Sequence, residues 1–273
     1  MAIDSIDLLA AKSRSDDTLL TVNSCNYPQK QENIMSDIIR RAIENFDYGY
    51  VFTPRNFPVE PRKAASVNRL LNYMVEVGEI CRISKGRFYK PKMTEFGAMK
   101  PNTYEVVKDL LEKDGKQIGY LTGYSIFNEL GLTTQMSFIL QIGIQNEKNP
   151  IKRGLYRIHF IKQHNEITKE NVYLLKLLDC LRFFRNIPDS MPDEKCSRIF
   201  LLLKKITKGQ KEEIKRLSLK YTPQATALLG AMLETLNPKE NTSEMYNMLN
   251  PQSFYKLGIS ENILSNQKKW NIR

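Results

Sequence analysis

The chain has 273 residues, of which 41% are hydrophobic, and it carries a net charge of +11. This composition is typical of a folded protein and excludes a disordered one, and the length favours two domains. No apolar run approaches the roughly 18 residues that a membrane-spanning helix needs, and acidic residues stand near the N-terminus, where an export signal is basic. We therefore expect a cytoplasmic protein with no membrane partner.

The positive charge is concentrated in one segment. Residues 50–92 hold nine Lys and Arg against three Asp and Glu, whereas residues 1–49 have a net charge of −3. A basic balance spread over a whole surface is weak support for nucleic-acid binding, but one focused on a segment of this size is stronger support. Nucleic acid is therefore the first class of partner to consider.

The order of elements around this segment predicts a winged helix-turn-helix over residues 34–92. Residues 1–33 are interpreted as an N-terminal arm with one short helix at 3–12. Apolar residues at helical spacing from Met35 to Phe46 predict the first helix of the domain. A short strand at 50–52, a second helix at 61–77 and two wing strands at 79–83 and 88–90 are predicted to follow.

The second helix of this domain is the predicted recognition helix. The N-terminal residues of such a helix lie at base edges in the major groove, where Arg can bind guanine and Asn can bind adenine. Cations on the wing would meet phosphates, which positions the protein without reading sequence. The predicted DNA-contacting residues are Arg62, Lys63, Ser66, Asn68 and Arg69 on the helix and Arg82, Lys85 and Arg87 on the wing. A wing that serves only structure or protein docking stays open as the alternative.

Residues 93–273 are predicted to be mixed α/β to about residue 161 and helical beyond it, which makes the fold class α+β. A helix at 103–113 is predicted to begin at Asn102, and Thr122 is the predicted cap of a short helix at 122–130. Alternating apolar residues predict two half-buried strands joined by a turn, and we expect them to pair antiparallel. Those two strands are 137–144 and 154–161.

The C-terminal third is predicted to be helical because its apolar residues recur at helical spacing. Thr168, Ser190 and Thr222 are the cap candidates, since each hydroxyl precedes a helical pattern. The predicted helices are 169–185, 192–205, 208–219 and 223–236, with a last short helix near 251–257.

The residue types that carry catalysis or bind metal do not cluster along the chain. The four cysteines form no CxxC pair, and the two histidines lack carboxylate or Cys partners at ligand spacing. No phosphate-binding glycine loop of the common kinds occurs. We therefore expect a protein that is not an enzyme and that needs neither a cofactor nor a metal.

One enzymatic alternative rests on Asp193 followed by Glu213-Ile214-Lys215, which is similar to the arrangement of metal-dependent nucleases. Such nucleases carry Glu-x-Lys on a strand, whereas apolar spacing here predicts a helix, and Asp193 is predicted in the first turn of another helix. Residues 197–220 hold eight Lys and Arg against two acids. This second basic run is a solvated helix face, an extension of a nucleic-acid surface, or a contact for an acidic partner.

Four local patterns between Tyr50 and about Ile144 resemble the AbiEi family of bacterial antitoxins. They are GYVFTPRNF, a helix followed by GEICRISKGRFYKP, the EFG-xx-KP junction from Glu95 to Pro101, and YLTGYSIFNELGLTTQ. The last pattern is the most specific of the four. It combines Thr122-Gly123, Asn128, Leu130-Gly131-Leu132 and Thr134-Gln135. Residues 162–273 show no family motif.

The resemblance implies two roles for the chain. The winged helix would bind double-stranded DNA at the operator of its own operon and repress it, and the part after residue 93 would counteract a nucleotidyltransferase-like toxin, in phage defence. Antitoxins of this family are described as acting without a stable toxin complex, so direct binding of the toxin stays open. The glycines around the short helix at 122–130 suit either a recognition turn or the packing of a small domain. The alternative functions are a transcription regulator without a toxin, and a DNA-acting enzyme or its accessory subunit, in which the winged helix only delivers the C-terminal part to DNA.

Overall fold

The computed structural model describes residues 26–135 and 137–273. They form a mixed α+β fold whose C-terminal part is helical, which confirms the predicted fold class. The described residues divide into two compact units, one made of residues 26–82 and 86–99 and the other of residues 83–85 and 100–273. The short helix predicted at 3–12 and Cys25 lie outside the described residues.

Between residues 26 and 99 the structure has two helices, two 3-10 turns and five short strands. They are α1 (Asn26–Glu44), β1 (Val51–Phe52), turns Pro54–Asn56 and Pro61–Lys63, α2 (Ala64–Glu76), β2 (Cys81–Ser84), β3 (Arg87–Tyr89), β4 (Lys92–Thr94) and β5 (Gly97–Met99). β1, β3 and β2 form a three-stranded sheet in that order, in which Phe52 of β1 lies opposite Phe88 of the antiparallel β3. β4 and β5 pair with each other in a separate two-stranded sheet.

The core of this first unit is built from the apolar stripes that the sequence predicts. Ile39 and Ile43 of α1 and Val67, Leu71 and Met74 of α2 are buried together with the aromatic side chains of the sheet. The predicted start of α1 near residue 35 was wrong, because the helix begins at Asn26. Apolar spacing reports only the turns that face the core, and a helix that exists can extend by one backbone hydrogen bond per added residue.

The second unit places a four-stranded sheet beside a helical C-terminal region. The elements of this unit are α3 (Thr103–Leu111), β6 (Glu112–Lys113), β7 (Lys116–Gln117), β8 (Gly119–Thr122), α4 (Tyr124–Glu129), β9 (Ile139–Ile144), β10 (Ile151–Arg153), β11 (Tyr156–Lys162), α5 (Val172–Arg182), turn Phe184–Asn186, α6 (Pro192–Lys204), α7 (Lys208–Ser218), α8 (Pro223–Leu236) and α9 (Ser243–Asn247). The strand order in the four-stranded sheet is β10-β11-β9-β8.

The predicted antiparallel pairing of the strands at 137–144 and 154–161 was wrong. β9 and β11 run parallel, with Leu140 opposite Ile158. The reason is β10, a short strand that the sequence reading took for part of the turn. It forms a tight antiparallel hairpin with β11, so the chain passes beyond β11 before it returns to pair with β9. Arg153 of β10 is buried, and its guanidinium binds the Asp109 carboxylate at 2.6 and 2.9 Å.

Two of the predicted helix caps were also wrong, because tertiary partners take their hydroxyls. Thr122 donates to a buried carboxylate, and Gly123 stands at the start of α4 instead. Ser190 donates to the Leu132 carbonyl at 3.0 Å, and the Glu194 carboxylate accepts the Met191 N–H at the start of α6. The predicted caps at Asn102 and Thr222 are confirmed, since each side chain accepts a backbone N–H of the first turn.

The helix predicted near 251–257 was wrong as well. In that stretch the Tyr255 N–H bonds to the Asn271 carbonyl at 2.8 Å, and the Leu257 N–H bonds to the Arg273 carbonyl at 2.7 Å. These backbone donors are therefore used by an extended pairing with the C-terminal residues rather than by a helix. α9 forms earlier in the chain, at Ser243–Asn247.

The helical region of the second unit is centred on α5 and α8, more than half of whose residues are buried. Trp270 is fully buried against α8, and its indole N–H donates to the Glu234 carboxylate at 3.0 Å. Gly230 of α8 lies under the indole, where even a methyl group would overlap the ring. The C-terminal segment is therefore an integral part of this core.

A buried polar network lies where β8 and β11 meet α5. Asp179 is 1% exposed and accepts hydrogen bonds from the Tyr120 hydroxyl at 2.7 Å and the Thr122 hydroxyl at 2.5 Å. Gln163 donates to the hydroxyls of Tyr120 and Tyr221 at 2.8 and 2.7 Å. Burial raises the pKa of Asp179, although the hydroxyl hydrogen bonds oppose it. Among the described residues, no group donates a hydrogen bond to the second carboxylate oxygen of Asp179.

Cys180 and Cys196 are buried thiols and Cys81 is half-buried. Within residues 26–135 and 137–273, no helix combines the length and the apolar content that crossing a membrane requires.

Candidate nucleic-acid interface

The orientation of α2 is fixed by its buried side chains. Because Val67, Leu71 and Met74 point into the core of the first unit, the opposite side of the helix faces outward. Arg69 is exposed on that outward side. α2 is preceded by the turn Pro61–Lys63, so its first cations lie at the helix N-terminus. The predicted recognition surface is thus an outward surface in the structure.

Arg62 is an exposed member of the predicted contacts, and it is paired with an acidic residue. Its side chain is 80% exposed and forms an ion pair with Glu60, whose side chain is 55% exposed. The hydrogen bond from Arg62 lowers the pKa of Glu60, and the same bond raises the pKa of Arg62. A phosphate or a guanine that approaches Arg62 therefore competes with the Glu60 carboxylate.

The other predicted helix residues differ in how accessible they are. Lys63 and Ser66 are half-buried, whereas Asn68 is exposed. The Asn68 amide donates to the Ala64 carbonyl at 3.0 Å, one turn back along its own helix. Adenine readout by Asn68 would require that bond to open.

The hairpin of β2 and β3 carries the other three predicted contacts. Arg82 donates to the Asn72 side chain at 2.5 Å, and its guanidinium lies 5.7 Å from the centre of the Phe88 ring. This residue ties the hairpin to α2, a structural role that the sequence did not indicate. Lys85 is exposed in the turn of the hairpin, and Arg87 is half-buried at the start of β3.

A second hairpin, formed by β4 and β5, was not predicted as an element. Every residue from Lys92 to Lys100 is exposed, and Phe96 at the tip is 99% exposed. The two short strands escaped prediction because alternation over three residues is too brief to be distinguished from a loop.

The antitoxin-like motif of the second unit separates into buried and exposed members. Gly123 has a backbone φ of 56° and lies against the Gln141 side chain, where a Cβ would overlap, so this glycine is required for packing. Asn128, Thr134 and Gln135 are exposed. The polar members of the motif are thus available to a partner, whereas the Thr-Gly pair serves the fold.

The carboxylates of the nuclease alternative have partners of their own. Asp193 lies in the first turn of α6, as predicted, and accepts the Ser260 N–H at 2.7 Å. Glu213 lies on α7, a helix as predicted, and pairs with Arg216 at 2.6 Å. In the part of the chain that the structure describes, no three His, Cys, Asp or Glu side chains group as metal ligands would.

The fold is similar to that of a solved structure, the crystal structure of RV2827C protein from Mycobacterium tuberculosis. The TM-score is 0.54 at 10% sequence identity, over 82% of this chain and 85% of that chain. No curated protein matches the sequence.

A family model described as a family of unknown function, DUF6088, matches residues 38–211. This range contains the C-terminal part of α1, all of α2, the hairpins β2–β3 and β4–β5, the four-stranded sheet and the helices as far as the first turn of α7. The match covers well over half of the chain, and the protein therefore belongs to the DUF6088 family.

Proposed function

We propose that the protein is a DNA-binding autorepressor and antitoxin of a bacterial toxin–antitoxin operon. In this proposal residues 34–92 are a winged helix-turn-helix that binds the operator. The part after residue 93 counteracts a nucleotidyltransferase-like toxin. The proposal takes up the resemblance to the AbiEi family and extends it to this member of DUF6088.

The observation that carries the DNA-binding part is the outward side of α2. A 13-residue helix buries one apolar stripe and turns Arg69 to solvent, with Arg62 exposed at its start. A two-strand hairpin follows directly and is tied to the helix by Arg82. This order of helix, strand, helix and hairpin supports a winged helix, because that motif places its second helix in the major groove with the wing beside it.

The antitoxin part rests on the motif between Tyr120 and Gln135 that resembles AbiEi antitoxins. Its exposed polar residues supply a surface for an antagonist, and they lie on an element that the buried Gly123 and Thr122 hold in place. A regulator without a toxin shares the DNA-binding argument but leaves this surface without a role. No observation favours a nuclease, because Asp193 accepts the Ser260 N–H and Glu213 forms a local ion pair.

DNA binding is tested by fluorescence anisotropy of the full chain with duplexes from upstream of its gene and with scrambled duplexes. We expect Arg62→Ala to weaken binding roughly tenfold and to relax the preference at one base position. Lys85→Ala should weaken all sequences alike and reduce the salt slope by about one. Lys256→Ala, which removes an exposed lysine of the second unit outside the basic run at 197–220, is the matched control and should change neither property. Binding that does not distinguish upstream from scrambled DNA would remove the repressor role.

The ion pair at the start of α2 gives a prediction of opposite sign. Glu60→Gln should increase affinity for duplex DNA, by roughly threefold at low salt, because it releases Arg62 and removes a charge that repels phosphate. Glu76→Gln removes the same charge from the far end of α2 and serves as the control. Titrations at two salt concentrations measure the effect, and an unchanged or lower affinity for Glu60→Gln would place Arg62 outside the interface.

The antitoxin role is tested separately by co-expression with the protein encoded by the neighbouring gene, which the proposal requires to be nucleotidyltransferase-like. Growth should be rescued by the full chain and equally by the Arg62→Ala variant, since the two activities are assigned to different units. Substituting the exposed Asn128 and Gln135 together should reduce rescue while DNA binding persists. Rescue that depends on Arg62 would assign both effects to DNA binding.

A further inference from the structure

A concave site of about 170 Å³ lies in the second unit, away from the antitoxin-like motif, and has no role in the proposed function. It forms where the end of β11, the last residue of α5 and the turn between α7 and α8 come together. The side chains that define it are Lys162, His164, Arg182, Lys220, Tyr221 and Thr222.

The charges at this site have one sign. Lys162, Arg182 and Lys220 are cations, and no carboxylate is among the side chains that line the site. The nearest ion-pair partner is Glu147, which binds Lys162 at 3.0 Å but is 76% exposed and so is readily displaced. Like charges repel one another when they are brought together, and a bound anion would relieve that repulsion.

The start of α8 adds a further positive contribution. Thr222 is the N-cap of this 14-residue helix, and its side chain accepts the Ala225 N–H. The N-terminus of a helix carries a partial positive charge, which favours an anion beside it. Three side-chain cations and a helix N-terminus thus face the same small volume.

The wall behind the cations is rigid. Gln163 is 5% exposed, and its side-chain amide donates to the hydroxyls of Tyr120 and Tyr221. The oxygen of the same side-chain amide accepts the Asn165 N–H at 2.9 Å. Because neighbours alternate in direction along an extended chain, burying Gln163 turns Lys162 and His164 outward together. Arg182 donates to the Lys162 carbonyl at 3.3 Å and so joins α5 to the same segment. Cations held in place lose less entropy when they bind a ligand than flexible ones do.

We propose that this site binds a phosphate group. A volume of about 170 Å³ is below the roughly 300–1,000 Å³ of sites that enclose whole drug-sized ligands. It suits one phosphate group, with the rest of the ligand outside. Arg and Lys are the side chains that bind phosphate best, Arg through paired hydrogen bonds and Lys as a point charge. The phosphate belongs either to a small molecule or to a nucleic-acid backbone.

The experiment uses the full chain and calorimetric titration with inorganic phosphate, inorganic pyrophosphate and a short DNA duplex without the operator sequence. We expect Lys220→Ala to weaken the binding of whichever probe fills the site at least tenfold. Lys205→Ala, which removes another exposed lysine of the same unit, should have no effect. Lys220 is exposed, so this variant should fold, and circular dichroism verifies that it does.

The three probes distinguish the two sources of phosphate. Binding of inorganic phosphate or pyrophosphate that Lys220→Ala abolishes indicates a small molecule. Binding of the duplex alone that Lys220→Ala weakens, and that Arg62→Ala leaves unchanged, indicates a nucleic-acid backbone. Equal losses for Lys220→Ala and Lys205→Ala, or no binding of any probe, would overturn the proposal. Neither outcome depends on operator binding by α2.

Discussion

Replacing Trp270 by alanine should lower the free energy of unfolding of the second unit by about 3–5 kcal/mol, which is the usual cost of truncating a buried Trp or Phe. The indole is fully buried and packs against α8 where Gly230 leaves room for it. The substitution also removes the donor that binds Glu234 at 3.0 Å and so leaves that carboxylate with one hydrogen bond fewer. Both effects act in the same direction.

Urea unfolding of the full chain measures this loss of free energy. The unfolding is monitored by far-UV circular dichroism, because that signal does not depend on the tryptophan that is removed. Gly230→Ala should destabilise the same unit by a different route, since the added methyl group would overlap the indole. Leu201→Ala is the control, because Leu201 is 50% exposed on α6 and should change stability by less than about 1 kcal/mol. A Trp270→Ala variant as stable as the control would mean that the C-terminal segment is not part of the core.

Replacing Asp179 by alanine should cost roughly 2–4 kcal/mol in acid and less near neutral pH. The substitution leaves a cavity and deprives the buried hydroxyls of Tyr120 and Thr122 of their acceptor. This cost is largest where Asp179 is protonated, because the wild-type protein then bears no buried charge.

The pH dependence follows from the direction of the pKa shift. Burial raises the pKa of Asp179 above its ordinary value of 3.8, so the folded protein binds more protons than the unfolded chain between 3.8 and the raised pKa. Stability from this group therefore falls as the pH rises through that window and is constant above it. Asp179→Asn, which mimics the protonated acid, should gain stability relative to wild type as the pH rises from 4 to 7.5. Urea titrations at several pH values measure it, and a difference that is independent of pH would contradict the assignment.

The secondary-structure elements that could be predicted from the sequence are those that residues within the element itself determine. α2, α6, α7 and α8 begin and end within a few residues of their predicted bounds, because apolar spacing and a cap such as Thr222 lie within the segment itself. Pairing between strands has no such local cause. Nothing in the residues of β9 specifies a parallel partner, and the position of β10 outside β11 decides it.

The candidate DNA interface shows the same division. The outward side of α2 could be predicted because the buried stripe fixes the helix, but the tie between Arg82 and Asn72 joins residues from different elements and could not. Glu60 stands two residues before Arg62, so their ion pair could have been predicted from the sequence. The phosphate site was not, because its cations come from β11, α5 and the turn before α8.

The strand order of the second unit also determines when its sheet can form. β11 lies between β9 and β10, although both precede it in the chain. While the protein is synthesised, β9 therefore waits with one open edge until β11 has emerged and turned back on β10. An open strand edge is a site of aggregation. Closing this sheet, rather than folding the helices, should therefore be the slow step in the folding of the second unit.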